Sequence, residues 1–216
     1  MKIEDVDLNF LGHAGFVVRY KNKVFVIDPY HVSEAVPKAD IILITHSHSD
    51  HCSIKDIQKL SRKGTMVLCP VDCQSTLMKV KGVDVNIVEK DEVLDFGNFK
   101  IECVPAYTVN KRHSQSEGWL GYLLKFDKTI IYFAGDTDNI PEIKRLSGYG
   151  KKGNHFVAVL PVAGSVVMDA LTAANTASLL NPALAIPMSY GAGLYGTVED
   201  ARKFVELCKQ RNVNAQ

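Results

Sequence analysis

Long apolar runs are missing from this sequence. No segment approaches the roughly 18 consecutive apolar residues of a membrane span, and residues 1–5 (M-K-I-E-D) do not lead into the apolar stretch of a secretory signal, so we expect neither. An excess of one charge sign is missing too, since 25 basic and 24 acidic residues leave a formal net charge of +1. That balance provides no electrostatic footprint for nucleic acid, and we expect neither a nucleic-acid nor a membrane partner.

Cysteines with metal-binding spacing are also missing. The five cysteines are an odd number and include no C-x-x-C pair. Three of them fall in apolar strand-like or helical patterns, where a free thiol packs as a small hydrophobe. We therefore expect a reducing, cytoplasmic location. No G-x-G-x-x-G or Walker pattern is present to cradle a phosphate, and no G-x-S-x-G sequence surrounds a serine, which disfavours serine hydrolysis.

What the chain does contain is ordinary for a globular protein. Of its 216 residues, 46% are hydrophobic and 23% are charged, which allows a sizeable core. No linker, repeat or low-complexity segment divides the chain, so we predict a single domain over residues 1–216. Strands joined as hairpins fill the first half and strands alternate with helices later, which predicts a mixed sheet system covered by helices.

The most informative stretch is a run of metal-capable side chains, T-H-S-H-S-D-H at residues 45–51, directly after the apolar segment 41–44. If its first residues stay extended, His46 and His48 point to the same side, because strand side chains alternate. Asp50 and His51 then turn toward the same pocket from the loop. Imidazole nitrogens and carboxylate oxygens suit zinc and similar divalent ions. The alternative, a polar loop that caps the next helix, does not explain so dense a set of ligands.

Two carboxylates elsewhere occupy positions like that of His46. Asp28 and Asp136 each follow an apolar strand-like segment. The carboxyl ends of strands are where sheets covered by helices tend to place their chemistry. The irregular stretch 108–118 is a further candidate, because loops of that length without their own secondary structure are often functional.

In these motifs the chain resembles the metallo-beta-lactamase superfamily, and more narrowly its small metal-dependent hydrolases, which are related to the ascorbate-phosphate lactonases. The resemblance rests on Asp28, the 46–51 motif and G-D-T at 135–137, with narrower matches at 11–16, 104–107, 134–141, 160–164 and 185–191. It implies an α+β fold, a four-layer αβ/βα sandwich with metals at the edge between two sheets.

The resemblance also implies a ligand set. His46 and His48 would hold a first ion, Asp50 and His51 a second, and Asp136 would bridge both. The implied cofactor is one or two divalent metal ions, zinc first, with manganese or iron as alternatives.

The function implied is a metal-dependent hydrolase that uses a metal-bound hydroxide on a small ester, lactone or phosphodiester. Asp50 would be its catalytic residue, orienting the water or passing its proton to the leaving group. Asp28 would lie beneath the ligands and fix the tautomer of an imidazole.

The chain departs from the family pattern at two positions. Residues 108–110 (T-V-N) and Ser189 stand where the family usually has histidines, and neither set offers a strong zinc ligand. His113 is a candidate replacement at the first site, and a solvated loop histidine beside Arg112 is an equal alternative. We find no replacement for the second site.

Four residues are candidates for the substrate pocket: His13, Asn110, Ser189 and Tyr190. For His13, in the G-H-A-G sequence at 12–15, a buried hydrogen-bonded histidine is the alternative. The missing histidines leave two other functions open. One is a degenerate member that binds metal or a small ligand with little turnover. The other is a nucleic-acid-processing phosphodiesterase, which the near-neutral charge disfavours.

Overall fold

The computed structural model describes residues 1–109 and 112–216, with residues 151 and 152 described through their backbone alone. The first sheet follows the chain order, and its strands are β1 (Lys2–Ile3), β2 (Val6–Gly12), β3 (Gly15–Tyr20), β4 (Lys23–Ile27), β5 (Ile41–Leu43), β6 (Thr65–Cys69) and β7 (Val83–Ile87). Neighbouring strands pair antiparallel from β1 through β4 and parallel from β4 through β7.

The second sheet has the order β13-β12-β11-β10-β9-β8. Its strands are β8 (Val93–Asp95), β9 (Lys100–Pro105), β10 (Leu120–Lys125), β11 (Thr129–Phe133), β12 (His155–Pro161) and β13 (Leu184–Met188). Neighbouring strands pair antiparallel from β8 through β11 and parallel from β11 through β13. Each sheet is therefore mixed, as the change from hairpins to strand–helix alternation predicts.

Helices cover the outer face of each sheet. Helix α1 (Ile54–Leu60) and the 3-10 turn Val71–Cys73 with α2 (Gln74–Leu77) pack on the first sheet. Helix α3 (Ala170–Leu180), α4 (Val198–Gln210) and the 3-10 segment Pro141–Lys152 pack on the second. Ser53 and Thr197 cap α1 and α4 with their side chains, as expected of hydroxyl residues directly before a helical pattern. No helix in the described ranges is long and apolar enough to cross a membrane.

The core lies between the two sheets. The rings of Phe16 and Phe133 stand 5.4 Å apart across the interface, and those of Phe25 and Phe99 meet edge to face at 4.9 Å. The Tyr122 hydroxyl donates a hydrogen bond of 2.8 Å to the carbonyl of Ile44 in the facing sheet. The layers across the described part of the chain are helix, sheet, sheet, helix. The prediction of a four-layer α+β sandwich is confirmed.

Two elements differ from what their local sequence predicts. The pattern of residues 71–80 predicts a helix, but the structure has a 3-10 turn followed by the short α2. The apolar run that begins at Ile41 predicts a strand as far as Thr45, but the strand ends at Leu43, because the amide of Thr45 leaves the ladder and donates to the carboxylate of Asp28 at 2.8 Å. That early exit brings the histidine-rich loop to the edge where β4 and β11 also end.

Candidate metal centre

The histidine-rich loop leaves β5 and joins the end of β11. In the described chain, His46 and His48 lie beyond the end of β5, and their ring centroids are 4.7 Å apart. Asp136 approaches from the end of β11, with Oδ2 3.9 Å from Nε2 of His46. One donor atom from each of these three residues lies within 4.8 Å of the other two. We call His46, His48 and Asp136 the first cluster.

A second cluster forms beside it. His13, in the turn between β2 and β3, places Nε2 2.8 Å from Oδ2 of Asp50. The same Asp50 oxygen lies 3.6 Å from Nε2 of His51. These three residues also bring their donor atoms within 4.8 Å of one another. The second cluster is therefore His13, Asp50 and His51, and it contains an imidazole that the sequence reasoning assigned to the substrate pocket.

Asp136 connects the clusters through its two oxygens. Oδ1 lies 3.6 Å from Nε2 of His51, and Oδ2 faces His46. The turn that presents this carboxylate requires glycine at position 135, where φ is +66° and a Cβ would approach the carbonyl oxygen of Leu120 to 2.6 Å. One carboxylate therefore faces an imidazole of each cluster.

Asp28 lies beneath the ligands, buried to 1% exposure. It accepts hydrogen bonds from the Thr45 amide (2.8 Å), the Thr45 hydroxyl (2.6 Å) and Nδ1 of His51 (2.8 Å). Since the Thr45 hydroxyl donates to Asp28, it accepts from Nδ1 of His46 at 2.9 Å. Both imidazoles therefore carry a proton on Nδ1 and turn Nε2 toward the clusters. The sequence reasoning missed Thr45, although a hydroxyl residue directly before the first ligand was a usable signal.

His113 lies beside the first cluster because two hydrogen bonds join it to Thr108 across its loop. The Thr108 amide donates to the His113 carbonyl at 2.8 Å, and the His113 amide donates to the Thr108 hydroxyl at 3.1 Å. The His113 side chain is buried, with Nδ1 3.7 Å from Oδ2 of Asp136. The alternative of a solvated loop histidine is wrong. His113 stands next to the first cluster, just outside its tightest grouping of donor atoms.

Trp119, the one tryptophan of the sequence, packs against these imidazoles. Its ring centroid lies 4.4 Å from that of His46 and 4.8 Å from those of His48 and His113. Its Nε1 donates to Asp72 at 2.7 Å, which fixes the ring plane. Sequence reasoning missed this residue, whose place at the end of the irregular loop was the only signal.

Burial and nearby charges shift the pKa values of the site residues in different directions. Burial holds the pKa of His46 well below its usual value, with the neighbouring imidazoles acting in the same direction. Burial also lowers the pKa of His113. For His51 the effect of burial is outweighed by the carboxylates of Asp136 and Asp28, which raise its pKa to about 9. Burial would raise the pKa of Asp50, but the hydrogen bond from His13 and the charge of His51 bring it below its usual range.

The donor atoms fit divalent metal ions. His46 Nε2, His113 Nδ1 and Asp136 Oδ1 are buried without a hydrogen-bond partner among the described residues. Buried polar atoms nearly always have partners, so a convergence of unpartnered ones calls for an explanation. Imidazole nitrogens and carboxylate oxygens in these proportions are ligands for zinc, manganese or iron.

The clusters open into a cavity of about 260 Å³. Ser189 lines it, and its buried hydroxyl has no hydrogen-bond partner among the described residues. Tyr190, predicted to line it, is absent from the described lining and stacks its ring on Phe10 at 5.2 Å, because it follows Ser189 on the opposite side of the chain. Asn110, the remaining pocket candidate, lies outside the described residues.

The chain is similar to known proteins both in sequence and in fold. A family model, the beta-lactamase superfamily domain, matches residues 7–189. A UPF0173 metal-dependent hydrolase of Koribacter versatilis is 32% identical over 228 residues, covering 96% of this chain and 95% of that protein. Another, from Pyrococcus furiosus, is 32% identical over 201 residues, with 86% and 84% covered. A crystal structure from Parabacteroides distasonis matches with a TM-score of 0.81 and 28% identity, covering 98% of this chain and 91% of that one.

Proposed function

This chain belongs to the beta-lactamase superfamily and is a metal-dependent hydrolase, and we propose that it holds two divalent ions, zinc first, and hydrolyses a small ester, lactone or phosphodiester. The observation that carries the proposal is the carboxylate of Asp136. Its Oδ1 faces His51 at 3.6 Å and its Oδ2 faces His46 at 3.9 Å, so a single side chain serves both clusters.

The first ion would be held by His46, His48 and Asp136, with His113 beside them, and the second by Asp50, His51 and Asp136. When bound, such ions polarise the scissile group and lower the pKa of a coordinated water toward neutrality.

Protein groups beneath the ligands do the positioning. Asp28 and Thr45 hold the Nδ1 protons of His51 and His46, so that neither ring has to change its tautomer when it binds an ion. The ring of Trp119 packs against the imidazoles of the first cluster and limits their rotation. The imidazoles therefore need little rearrangement to bind ions.

Asp50 is the group placed to handle a proton. It lines the cavity, and its lowered pKa keeps it ionised at neutral pH. An ionised carboxylate accepts a proton rather than donating one, so Asp50 would first orient and deprotonate the attacking water. It would then return the proton to the leaving group.

The cavity favours a small substrate with mixed character. Its 260 Å³ is near the lower limit for small-molecule sites. Ala163, Val166 and Val167 form an apolar part of its lining, and Arg112 also lines it. An acyl or sugar-sized group on the apolar wall, with a negatively charged part near Arg112, matches that lining. The net charge of +1 argues against a nucleic-acid substrate.

The test measures metal and turnover together. Purified protein reconstituted with zinc or manganese should retain at least one equivalent, measured by elemental analysis. A panel of lactones, esters and phosphodiesters should then show turnover that a chelator removes. Asp50→Ala should abolish that turnover. Asp127→Ala is the matched control, because Asp127 is exposed in the β10–β11 turn and pairs with Lys21 away from the cavity.

Less than half an equivalent of metal after reconstitution would end the proposal. Full metal content without turnover on any member of the panel would instead favour a protein that binds metal or a small ligand. Turnover that survives in Asp50→Ala would remove Asp50 from the reaction and leave the hydrolase assignment in place.

A further inference from the structure

His13 occupies an unusual position for a histidine in a turn. Its side chain is buried, at 2% exposure, and its backbone adopts φ of +54°, a left-handed conformation that costs energy for most side chains. Such strain persists only where the surroundings hold it, and it concentrates at functional sites. The surroundings here are the carboxylate of Asp50 at 2.8 Å and the ring of His51, whose centroid lies 5.2 Å away.

The turn that carries His13 is joined to the segment that carries Ser189. The Ser189 amide donates to the His13 carbonyl at 2.8 Å, and an isolated antiparallel bridge pairs His13 with Tyr190. Ser189 lines the cavity, but its side chain is short and its hydroxyl is buried without a partner in the described part of the chain. The His13 turn therefore brings an imidazole to the second cluster, whereas the neighbouring segment with Ser189 brings none.

We propose that His13 is a protein ligand of the second metal ion, completing the site that Asp50 and His51 begin. The inference rests on the proposed function, because it presupposes that the clusters hold ions. It assigns His13 to the metal and not to the substrate, and it makes Ser189 a wall of the cavity.

The donor spacing supports this assignment. Ligands about 2.1 Å from one zinc ion lie roughly 3.0 Å apart when they subtend a right angle and roughly 3.6 Å apart at 120°. His13 and Asp50 are 2.8 Å apart, and Asp50 and His51 are 3.6 Å apart. An ion pair between His13 and Asp50 would explain the first distance alone. It would not account for Oδ1 of Asp136, which lies 3.6 Å from Nε2 of His51 and is buried without a hydrogen-bond partner among the described residues.

The two sites should differ in strength. Nδ1 of His46 and Nδ1 of His51 each have a hydrogen-bond partner, whereas Nδ1 of His13 is buried without one among the described residues. A histidine ligand whose other ring nitrogen has a hydrogen-bond partner binds metal roughly 10–100-fold more tightly than one without such a partner. The first site should therefore fill before the second.

The test compares metal binding in wild type and His13→Asn. Asparagine tolerates a positive φ, so the substitution removes the imidazole with little backbone strain. Cobalt titration followed by absorption should show two binding events in the wild type. In the variant, the second event should weaken at least 10-fold or disappear. The first event, followed by fluorescence of Trp119, should be unchanged. His31→Asn is the matched control and should keep both events, because His31 is an exposed histidine with φ of +51° that belongs to neither cluster.

A second measurement reads the ligands of the bound ions directly. X-ray absorption at the metal edge counts the imidazole ligands of the bound ions. With both zinc ions bound, the second ion should have one imidazole fewer in His13→Asn than in the wild type. If that variant does not fold, His13→Gly replaces it, because glycine adopts positive φ freely. The double variant His13→Asn, Ser189→His should regain part of the second event, since position 189 then supplies an imidazole from the adjacent segment.

The outcomes separate the two proposals. Two events of unchanged affinity in His13→Asn would overturn the assignment of His13 and leave the proposed function standing. A single event in the wild type that is the same in the variant would also overturn it. Less than half an equivalent of metal in the wild type would overturn the proposed function itself.

Discussion

Replacing Asp28 by asparagine is the most direct way to test how the site is organised. The carboxylate is buried and accepts three hydrogen bonds, from the amide and hydroxyl of Thr45 and from Nδ1 of His51. An asparagine side chain of the same shape can accept with one atom only, because its other terminal atom is a donor. One of the donors that now point at Asp28 must therefore lose its partner.

The magnitude follows from those contacts. A hydrogen bond to a charged group contributes about 1.5–3 kcal/mol, and an unpartnered buried donor costs a further 1–3 kcal/mol. We expect Asp28→Asn to lower the free energy of unfolding of the metal-free protein by about 3 kcal/mol. Loss of a group that orients a ligating imidazole lowers metal affinity by roughly 10–100-fold. The pKa of His51 should fall from its raised value of about 9, because the Asp28 charge is one of its causes.

Asp56→Asn is the control. Asp56 is also buried and accepts from two amides, those of His31 and Val32, and from the Ser53 hydroxyl. It lies on α1 and takes no part in either cluster. Urea unfolding should show a comparable loss of stability in both variants. Competition with a chromophoric chelator should show weaker metal binding in Asp28→Asn alone.

The result that would refute the reasoning is specific. If Asp28→Asn loses stability but binds metal within about twofold of the wild type, Asp28 stabilises the fold and does not position the ligand. Equal losses of metal affinity in both variants would show that general destabilisation, and not the orientation of His51, sets the affinity.

Four other predictions follow from the site. Thr45→Val should weaken the first metal-binding event by about 10-fold while unfolding stays cooperative, because the hydroxyl fixes the tautomer of His46; calorimetry measures this. The raised pKa of His51 should stabilise the metal-free protein below pH 6.5, and that contribution should be lost as the pH rises through about 9, which a series of urea melts would detect. Cobalt should quench the emission of Trp119 during the first event, and unquenched emission would place the first ion elsewhere. Gly135→Ala should lower the melting temperature by several degrees in a thermal scan, since its Cβ would meet a carbonyl oxygen at 2.6 Å.

Much of the fold could be read from local patterns. Strands such as Gly15–Tyr20 and Thr65–Cys69 have the bounds that their β-branched runs predict, and the last helix begins after the capping residue Thr197. These features depend on near neighbours in the chain. The end of β5 could not be predicted in this way, because it depends on Asp28, which competes for the Thr45 amide from a different strand.

For the site, the sequence by itself determined the chemistry. The density of metal-capable side chains at residues 46–51, together with Asp28 and Asp136 at strand ends, predicted the types of donor atom and the edge at which they meet. Ligand type is a property of each side chain, and strand ends are set by local hydrophobic pattern, so both can be read along the chain.

Only the tertiary structure decided which imidazoles belong to which cluster. His113 reaches the first cluster because Thr108 closes its loop, and His13 reaches the second because its turn is bonded to Ser189, far away in sequence. The packing of Trp119 on the first cluster has the same origin. Distances between side chains remote in sequence are set by how the two sheets pack, and no local pattern along the chain contains that information.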